Sequence, residues 1–245
     1  MDLFDAPRLD AAPEAALRAK ALVVHDRLCE VYGCPIDFFS DKDPVSELVS
    51  ALLSHRTKNA DSARAYRRLR ERFPTWEAVR DAPTSEVETA LAPCTWPEQK
   101  APRVQAVLRA LSDAPEADGL SLDWLAERPA SEARRWLERI KGVGPKTSAA
   151  VLLFSRPRIA ALPVDSHHHR VAQRLGLIPA SMAVGPSHDA LAALLPAGWD
   201  AQTVYDHHEA LMLHGQRCCS WRSPACGRCP VYDLCVWDGK RPRAA

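Results

Sequence analysis

No segment of the chain is apolar over the length that a membrane span needs. The first residues, MDLFDAPRLDAAPEAAL, have neither the cationic start nor the apolar block of a secretion signal. The sequence therefore predicts a cytoplasmic protein with no membrane partner. Charge of either sign is not in excess, because the net charge is only +1 over 245 residues. A nucleic-acid-binding function would therefore have to rest on local patches rather than on general attraction to a polyanion.

Sequence repeats and the alternating patterns of β-strands are also absent, and helical spacing predominates. In DPVSELVSALLSHRT, apolar residues recur every three or four positions from Val45 to Leu53. We expect Asp43 to cap this helix and Pro44 to fit its first turn. Gly215 is expected to end the last long helix, DAQTVYDHHEALMLHG. The predicted fold class is all-α.

Cysteine is concentrated near the end of the chain, where CCSWRSPACGRCPVYDLC holds five of the eight. Four of them follow the spacing C-x6-C-x2-C-x5-C, namely Cys219, Cys226, Cys229 and Cys235. Thiolates at such short spacing can point at one metal centre, which organises a segment with few apolar side chains. Disulfides are disfavoured in a reducing cytosol, but spacing alone does not distinguish zinc from an iron–sulfur cluster. We interpret Cys29, Cys34 and Cys94 as ordinary buried thiols.

The stretch LERIKGVGPKTSAAVLLF predicts a helix, a turn at Gly142-Val143-Gly144 and a second helix opened by proline. The glycines allow close approach of another molecule, and the first amides of the second helix suit a phosphate oxygen. Lys146 and Thr147 lie in that first turn. An isolated G-V-G is more often a plain turn between helices, and a surface lysine is usually solvated. The helix dipole and partial burial would nevertheless favour the free amine of Lys146.

A third motif, LPVDSHHHRV, places Asp165 between a proline-bearing loop and the next helix, where a carboxylate serves as an N-cap. Capping does not exclude a catalytic role. The stretches IKGVGPKTSAAVLLF, LPVDSHHHRV and LHGQRCCSWRSPACGRCPVYDLC, in this order, resemble the endonuclease III family of helix–hairpin–helix DNA glycosylases. The resemblance runs from about Pro44 to about Trp237 and includes the cysteine spacing without insertion.

This resemblance implies a fold of two helical domains with a DNA-binding cleft between them. Residues 43–159 would form a six-helix barrel with the hairpin at 137–150. Residues 19–42 and 160–245 would form the iron–sulfur cluster domain, and residues 1–18 a loosely ordered N-terminal extension. The protein is expected to be a monomer associated with the nucleoid.

The resemblance further implies a bifunctional DNA glycosylase and AP lyase that excises oxidised pyrimidines from damaged double-stranded DNA. Lys146 would attack the sugar and form a Schiff base, and Asp165 would stabilise the cationic sugar. The four cysteines from Cys219 onward would hold a 4Fe–4S cluster, and the hairpin with Thr147 would hold the strand. Arg222, in the cluster loop, is a candidate phosphate contact. Two alternatives stay open: a paralogue that binds DNA without cutting it, and a zinc-bearing structural module.

Two positions depart from the family pattern. Arg56 stands where the family often has glutamine, and its guanidinium can contact the orphaned base or only a phosphate. Trp96 stands at the tip of a loop that wedges into the base stack in the family; it can stack on bases or belong to the core. Because Thr95 and Pro97 flank this tip, we expect a stiffer loop and a narrower or altered range of lesions.

Overall fold

The computed structural model describes residues 11–242, and within this range the chain forms eleven α-helices and no strand. The predicted all-α class is therefore confirmed. No helix in the described range is long and apolar enough to cross a bilayer. In chain order the helices are α1 (Ala11–Tyr32), α2 (Pro44–Ser54), α3 (Asn59–Arg72), α4 (Trp76–Asp81), α5 (Thr84–Ala90), α6 (Pro97–Ser112), α7 (Ala130–Glu138), α8 (Pro145–Phe154), α9 (Ser166–Leu175), α10 (Val184–Ala192) and α11 (Ala201–Arg217).

The helices pack into two compact units. The terminal unit consists of Met1–Asp37 with Val164–Ala245, and in it α11 packs against α1 and α9 while α10 packs against α9. The central unit is the continuous stretch Phe38–Pro163. In the central unit α2 packs against α3, α6 and α8, α6 packs against α4 and α5, and α7 packs against α8.

The start of α2 follows the expectation from the sequence. Asp43 Oδ1 accepts a hydrogen bond from the Ser46 N–H at 2.9 Å, and Pro44 is the first helical residue, which confirms the predicted cap. The apolar stripe that follows is buried in the core of the central unit, where Leu48 and Leu53 have no exposed surface. Burial of this stripe fixes which face of α2 is turned outward.

The predicted end of the last helix at Gly215 is wrong, because α11 continues to Arg217. Gly215 is buried, and a Cβ built on it would lie 2.7 Å from His167 Cβ. This glycine therefore allows the close approach of α11 to α9 and does not end the helix. The structure also assigns residues 11–18 to α1, although we expected a loosely ordered extension there; residues 1–10 lie outside the described range.

The interpretation of Cys29 and Cys34 as buried thiols is also wrong. The two residues form a disulfide with their Cα atoms 4.9 Å apart. Gly33, with φ +81°, turns the chain back directly after α1, and its N–H donates to the Cys29 carbonyl at 2.8 Å. Cys94 is a buried free thiol, as expected.

Candidate functional site

The hairpin between α7 and α8 has the turn geometry expected from its glycines. Gly142 has φ +100°, a conformation that favours glycine, and the buried Val143 donates its N–H to the Ile140 carbonyl at 2.9 Å. The two helices are tied together because Ser148 Oγ donates to Glu138 Oε1 at 2.7 Å. The hairpin is thus a fixed element that presents the first turn of α8.

Lys146 and Thr147 are the second and third residues of α8, behind Gly144 at the N-cap position, and both are half-buried. The charge of Lys146 reaches two titratable neighbours in the central unit. Burial raises the pKa of the Glu47 carboxyl, and the Lys146 charge is one of the interactions that oppose this rise. The second neighbour is His55, which lies among several cationic side chains.

A basic pocket of about 200 Å³ lies beside the hairpin. It is lined by Leu52, His55, Arg56, Trp96, Gln99, Lys100 and Arg103. Burial lowers the pKa of His55, and four positive neighbours lower it further, namely Lys146, Arg103, Lys100 and Arg56. The pocket continues to the hairpin, because a Cβ on Gly142 would lie 3.6 Å from Arg103 Cδ. Such a positive concave surface attracts phosphate groups.

Arg56 and Trp96, which are far apart in sequence, lie together in this pocket. The guanidinium carbon of Arg56 is 6.0 Å from the centre of the Trp96 ring. Both residues have left-handed backbone conformations, with φ of +52° and +54°. The side chain of Trp96 is not in the core, since 44% of its surface is exposed. The sequence had given no sign of these two strained positions.

Asp165 caps α9, as expected from its place before that helix. Its Oδ1 accepts hydrogen bonds from the N–H groups of His167 and His168 at 2.9 and 2.7 Å. Asp165 is half-buried and belongs to the terminal unit, whereas Lys146 belongs to the central unit. Sequence reasoning missed its carboxylate neighbour, the buried Glu209 of α11. Burial, and then the charge of Asp165, raise the pKa of Glu209 to about 7.

The cysteine segment is anchored to α9 and α11 of the terminal unit. Arg174 of α9 donates from Nη1 to Cys219 Sγ at 3.2 Å, and its carbonyl oxygen lies 3.3 Å from Cys235 Sγ. His214 of α11 lies with Nε2 3.5 Å from Cys229 Sγ. Cys226 is buried within a short 3-10 turn, and the loop side chain of Arg222 is exposed.

The thiols of this segment are close enough to influence one another. Burial raises the pKa of the Cys229 thiol to about 12, and the neighbouring thiols of Cys218, Cys219 and Cys235 contribute to the rise. As thiolates these sulfurs would repel each other unless a metal centre neutralised them. A set of soft sulfur donors on a short segment with few apolar side chains fits a 4Fe–4S cluster. Cys218 shares the site, because its sulfur and the ligand atoms of His214 and Cys229 all lie within 4.8 Å of one another.

Two family descriptions match the chain. Residues 49–196 match the HhH-GPD superfamily of base excision DNA repair proteins, and residues 222–235 match the iron–sulfur binding domain of endonuclease III. Endonuclease III of Escherichia coli is 28% identical over 225 residues, which are 91% of this chain and 98% of that protein. Endonuclease III of Synechocystis is 26% identical over 214 residues, 87% of this chain and 89% of that protein. The chain spans 64% of the length of a DNA-glycosylase-like protein of Arabidopsis thaliana, at 28% identity over 194 residues.

The fold is shared with solved structures. A trapped covalent intermediate of endonuclease III with DNA superposes with a TM-score of 0.73 at 22% identity, covering 89% of this chain and 95% of that one. A thermostable thymine-DNA glycosylase superposes with a TM-score of 0.67 at 21% identity, covering 91% and 95%. The C-terminal cysteines thus form an iron–sulfur segment, and the group it carries is a 4Fe–4S cluster.

Proposed function

Because the chain belongs to the HhH-GPD superfamily of base excision DNA repair proteins, and within it to the endonuclease III family, we propose that it is a bifunctional DNA glycosylase and AP lyase that excises oxidised pyrimidines from damaged double-stranded DNA. Glycosylase activity belongs to the family; the lyase step and the lesion class are the proposal. The observation that carries it is the half-buried Lys146 in the first turn of α8, directly behind the hairpin.

The proposed reaction begins with a damaged pyrimidine turned out of the duplex. The free amine of Lys146 attacks C1′ of the sugar, so that a bond from Nζ to C1′ forms as the bond to the base breaks. The cationic sugar that develops is stabilised by the carboxylate of Asp165, and the departing base takes up the proton that the amine releases. The C1′–O4′ bond then breaks, O4′ takes up a proton and the Schiff base forms. Loss of a C2′ proton from the Schiff base expels the 3′ phosphate, which cuts the strand on the 3′ side. Asp165 suits this role because its capping bonds hold the carboxylate in one orientation.

The DNA strand would be held by backbone and cationic groups rather than by base-specific contacts. The amides of Gly142 and Gly144, with Thr147, would meet a phosphate at the start of α8. Val143 would belong to this strand-holding hairpin through its turn, because its own N–H is bonded to the Ile140 carbonyl. The exposed Arg222 would meet another phosphate from the cluster loop. The basic pocket beside the hairpin supports this assignment, because its positive groups attract the DNA phosphate backbone whatever the base sequence.

We assign the cluster ligands to Cys219, Cys226, Cys229 and Cys235. The cluster supplies chiefly structural stabilisation, because it joins segments that have few apolar side chains of their own. With the cluster bound, the residues around these cysteines would hold the loop that carries Arg222 in one conformation. Arg56 and Trp96 would fill the space left by the flipped base and stack on its neighbours, as the basic pocket brings both side chains to one exposed place.

Borohydride trapping tests the proposed reaction, since it converts a Schiff base into a stable covalent adduct. We expect an adduct on a duplex that carries thymine glycol and on one that carries an abasic site. The Lys146→Ala variant should lose both adducts. Lys141→Ala is the matched control, because Lys141 is an exposed lysine on the other side of the hairpin, and it should keep them.

The outcomes separate the parts of the proposal. An adduct on the abasic duplex alone would retain the lyase and exclude thymine glycol as a substrate. Adducts that persist in Lys146→Ala would assign the nucleophile to another residue. Tight binding to both duplexes with no adduct on either would indicate a protein that binds DNA without cutting it.

A further inference from the structure

Two non-glycine residues hold left-handed backbone conformations in one exposed pocket, which costs free energy. Arg56 and Trp96 have φ of +52° and +54°, and such strained conformations persist only where the surrounding structure enforces them. Their side chains are exposed and lie 6.0 Å apart, from guanidinium carbon to ring centre. The contacts that enforce both conformations must come from the buried side of the pocket.

A buried lysine connects the segments that carry these two residues. Lys100 of α6 has only 7% of its surface exposed. Its Nζ donates to the Leu53 carbonyl at 2.6 Å, in the last turn of α2, and to Thr57 Oγ1 at 2.5 Å. These two acceptors bracket the turn that contains Arg56.

The same hydroxyl reaches the second segment. Thr57 Oγ1 accepts a hydrogen bond from the Thr95 N–H at 3.2 Å, in the residue before Trp96. The Lys100 N–H in turn donates to the Trp96 carbonyl at 3.1 Å. One ammonium group and one hydroxyl group therefore join the end of α2 to the start of α6.

A buried cation at this position contributes more to the geometry of the two connected segments than to the stability of the core. Because only 7% of the Lys100 surface is exposed, its ammonium group is largely removed from water, and this burial lowers its pKa. An apolar side chain of similar volume would avoid the cost of this desolvation. What the ammonium group contributes is the direction of its hydrogen bonds. It donates to a carbonyl at the negative, C-terminal end of α2 and fixes the position of the Thr57 hydroxyl.

We propose that Lys100 is a positioning residue that, without contacting DNA, holds Arg56 and Trp96 as one rigid unit for insertion into the duplex where the target base leaves. This inference rests on the proposed function and adds to it the residue that preorganises base opening. The chemistry at the sugar does not need Lys100 once the base has already gone. Loss of Lys100 should therefore slow excision of a base far more than β-elimination at an existing abasic site.

The test uses two kinds of variant in the full-length protein with its cluster. Lys100→Met removes the ammonium group and keeps most of the side-chain volume. Thr57→Val removes the bridging hydroxyl and keeps the shape, and Thr57→Ser is its matched control because it keeps the hydroxyl. Far-ultraviolet circular dichroism sets the temperature at which every variant is fully folded. Should Lys100→Met fail to fold, the Thr57 pair carries the test.

Three rates or signals are compared at that temperature. The first is single-turnover excision of thymine glycol, and the second is β-elimination at a preformed abasic site. The third is the fluorescence of 2-aminopurine opposite a tetrahydrofuran abasic analogue, which reports insertion and cannot be cut. We expect Lys100→Met and Thr57→Val to lower excision by about 10- to 100-fold and to reduce the fluorescence change. β-Elimination should change by less than about threefold, and Thr57→Ser should match the unaltered protein.

An equal loss in excision and β-elimination, or no loss in either, would overturn the proposal. Loss of the borohydride adduct in a folded Lys100→Met variant would also overturn it, because Lys100 would then be a nucleophile. Failure of the unaltered protein to excise thymine glycol would count against the proposed substrate and not against Lys100. The tetrahydrofuran duplex still tests the proposal in that case. If the unaltered protein produces no fluorescence change with it, no side chain is inserted and Lys100 has nothing to position, which would overturn the proposal.

Discussion

Gly215 sets the distance between α11 and the capped end of α9. A Cβ on this residue would lie 2.7 Å from His167 Cβ and 3.1 Å from both the Cα and the carbonyl oxygen of His167. His167 is the second residue of α9, and its N–H is one of the two donors to Asp165. The absence of a side chain at Gly215 therefore determines where the carboxylate of Asp165 is held.

We predict that Gly215→Ala destabilises the protein by about 1–3 kcal/mol, because the backbone of His167 cannot yield as a flexible side chain would. The thermal midpoint measured by circular dichroism should fall accordingly. Gly185→Ala is the matched control, since it also lies in a helix but a Cβ there meets nothing within 4 Å. This control should be neutral or slightly stabilising. Equal midpoints for the two variants would contradict this account of Gly215.

The helix caps could be predicted from the sequence because each depends on groups within three residues. Asp43 and Asp165 both cap the helices that they precede. The role of Gly215 could not, because it depends on a helix some fifty residues earlier in the chain. Lys100 left a weak signal that was missed: a lysine one turn before Val104, on the apolar face of α6.

Two arginines of α9 connect that helix to the cysteine segment. Arg174 donates to the carbonyls of Ser220 and Trp221 at 2.8 and 3.1 Å, in addition to Cys219 Sγ. Arg170 donates from Nε to the Cys219 carbonyl at 3.0 Å. The guanidinium carbon of Arg174 also lies 3.8 Å from the centre of the Trp237 ring, two residues after Cys235. The planar fork of arginine makes all these contacts at once, and an ammonium group cannot.

We predict that Arg174→Lys accelerates loss of the cluster by about 10-fold or more on exposure to a chelator, as expected for a group that orients a ligand. The measurement is the decay of the visible absorbance of the cluster with iron release followed in parallel. Arg222→Lys is the matched control, because Arg222 is an exposed arginine of the same cysteine segment. Its cluster should decay at the rate of the unaltered protein. Decay of Arg174→Lys at that same rate would show that the arginine does not support the cluster.

The helices were predictable where an apolar stripe was strong and less so elsewhere. The stripe of α2 identified both its extent and its buried face. The first turns of α1 were missed because alanine and proline there give no stripe, and the helix is stabilised by packing against α11. The partners of the cysteine segment were also beyond sequence analysis, since Arg174 and His214 come from two different helices.

Three buried histidines of the terminal unit resist protonation. Burial lowers the pKa of His207 from its usual 6.5 to about 3, with His25 and His208 contributing positive charge when protonated. Burial likewise lowers the pKa of His214 to about 4 and that of His168 to well below its usual value. His168 and His207 lie in contact, with ring centres 5.6 Å apart. The folded protein therefore holds these imidazoles neutral where the unfolded chain would protonate them.

The sign of the effect on stability follows from this difference. Below pH 6.5 the unfolded chain binds protons at the three histidines and the folded protein does not, so stability falls as the pH falls. Glu209 acts in the opposite direction, because its pKa is raised from 4.5 to about 7 and the folded protein retains its proton in this range. The raised pKa of Glu47 acts in the same direction as that of Glu209, and the lowered pKa of His55 in the same direction as those of the three histidines. Four histidines therefore outweigh two carboxyl groups between pH 4.5 and 6.5.

We predict that the free energy of unfolding decreases on acidification from pH 6.5 to 4.5, by up to about 1.4 kcal/mol per pH unit for each net proton. Urea unfolding at a series of pH values measures this slope. In His207→Gln the slope should be smaller by up to about 1.4 kcal/mol per pH unit, whatever the variant does to stability at neutral pH. A slope identical to that of the unaltered protein would rule out His207 as a contributor.

The terminal unit is assembled from two segments that the whole central unit separates in sequence, and this affects how the protein folds as it is synthesised. Arg27 of α1 bonds to Asp233, 206 positions later, and Tyr32 contacts His214, 182 positions later. Helix α1 leaves the ribosome first, and its side chains Val24 and Leu28, which are buried in the folded protein, stay exposed until the helix that covers them has been synthesised. The central unit is continuous and can complete its core during translation. The terminal unit can close only after its second segment, which begins at Val164, has been synthesised. An interrupted message would therefore leave a finished core beside an uncovered apolar helix, the kind of surface that chaperones and proteases recognise.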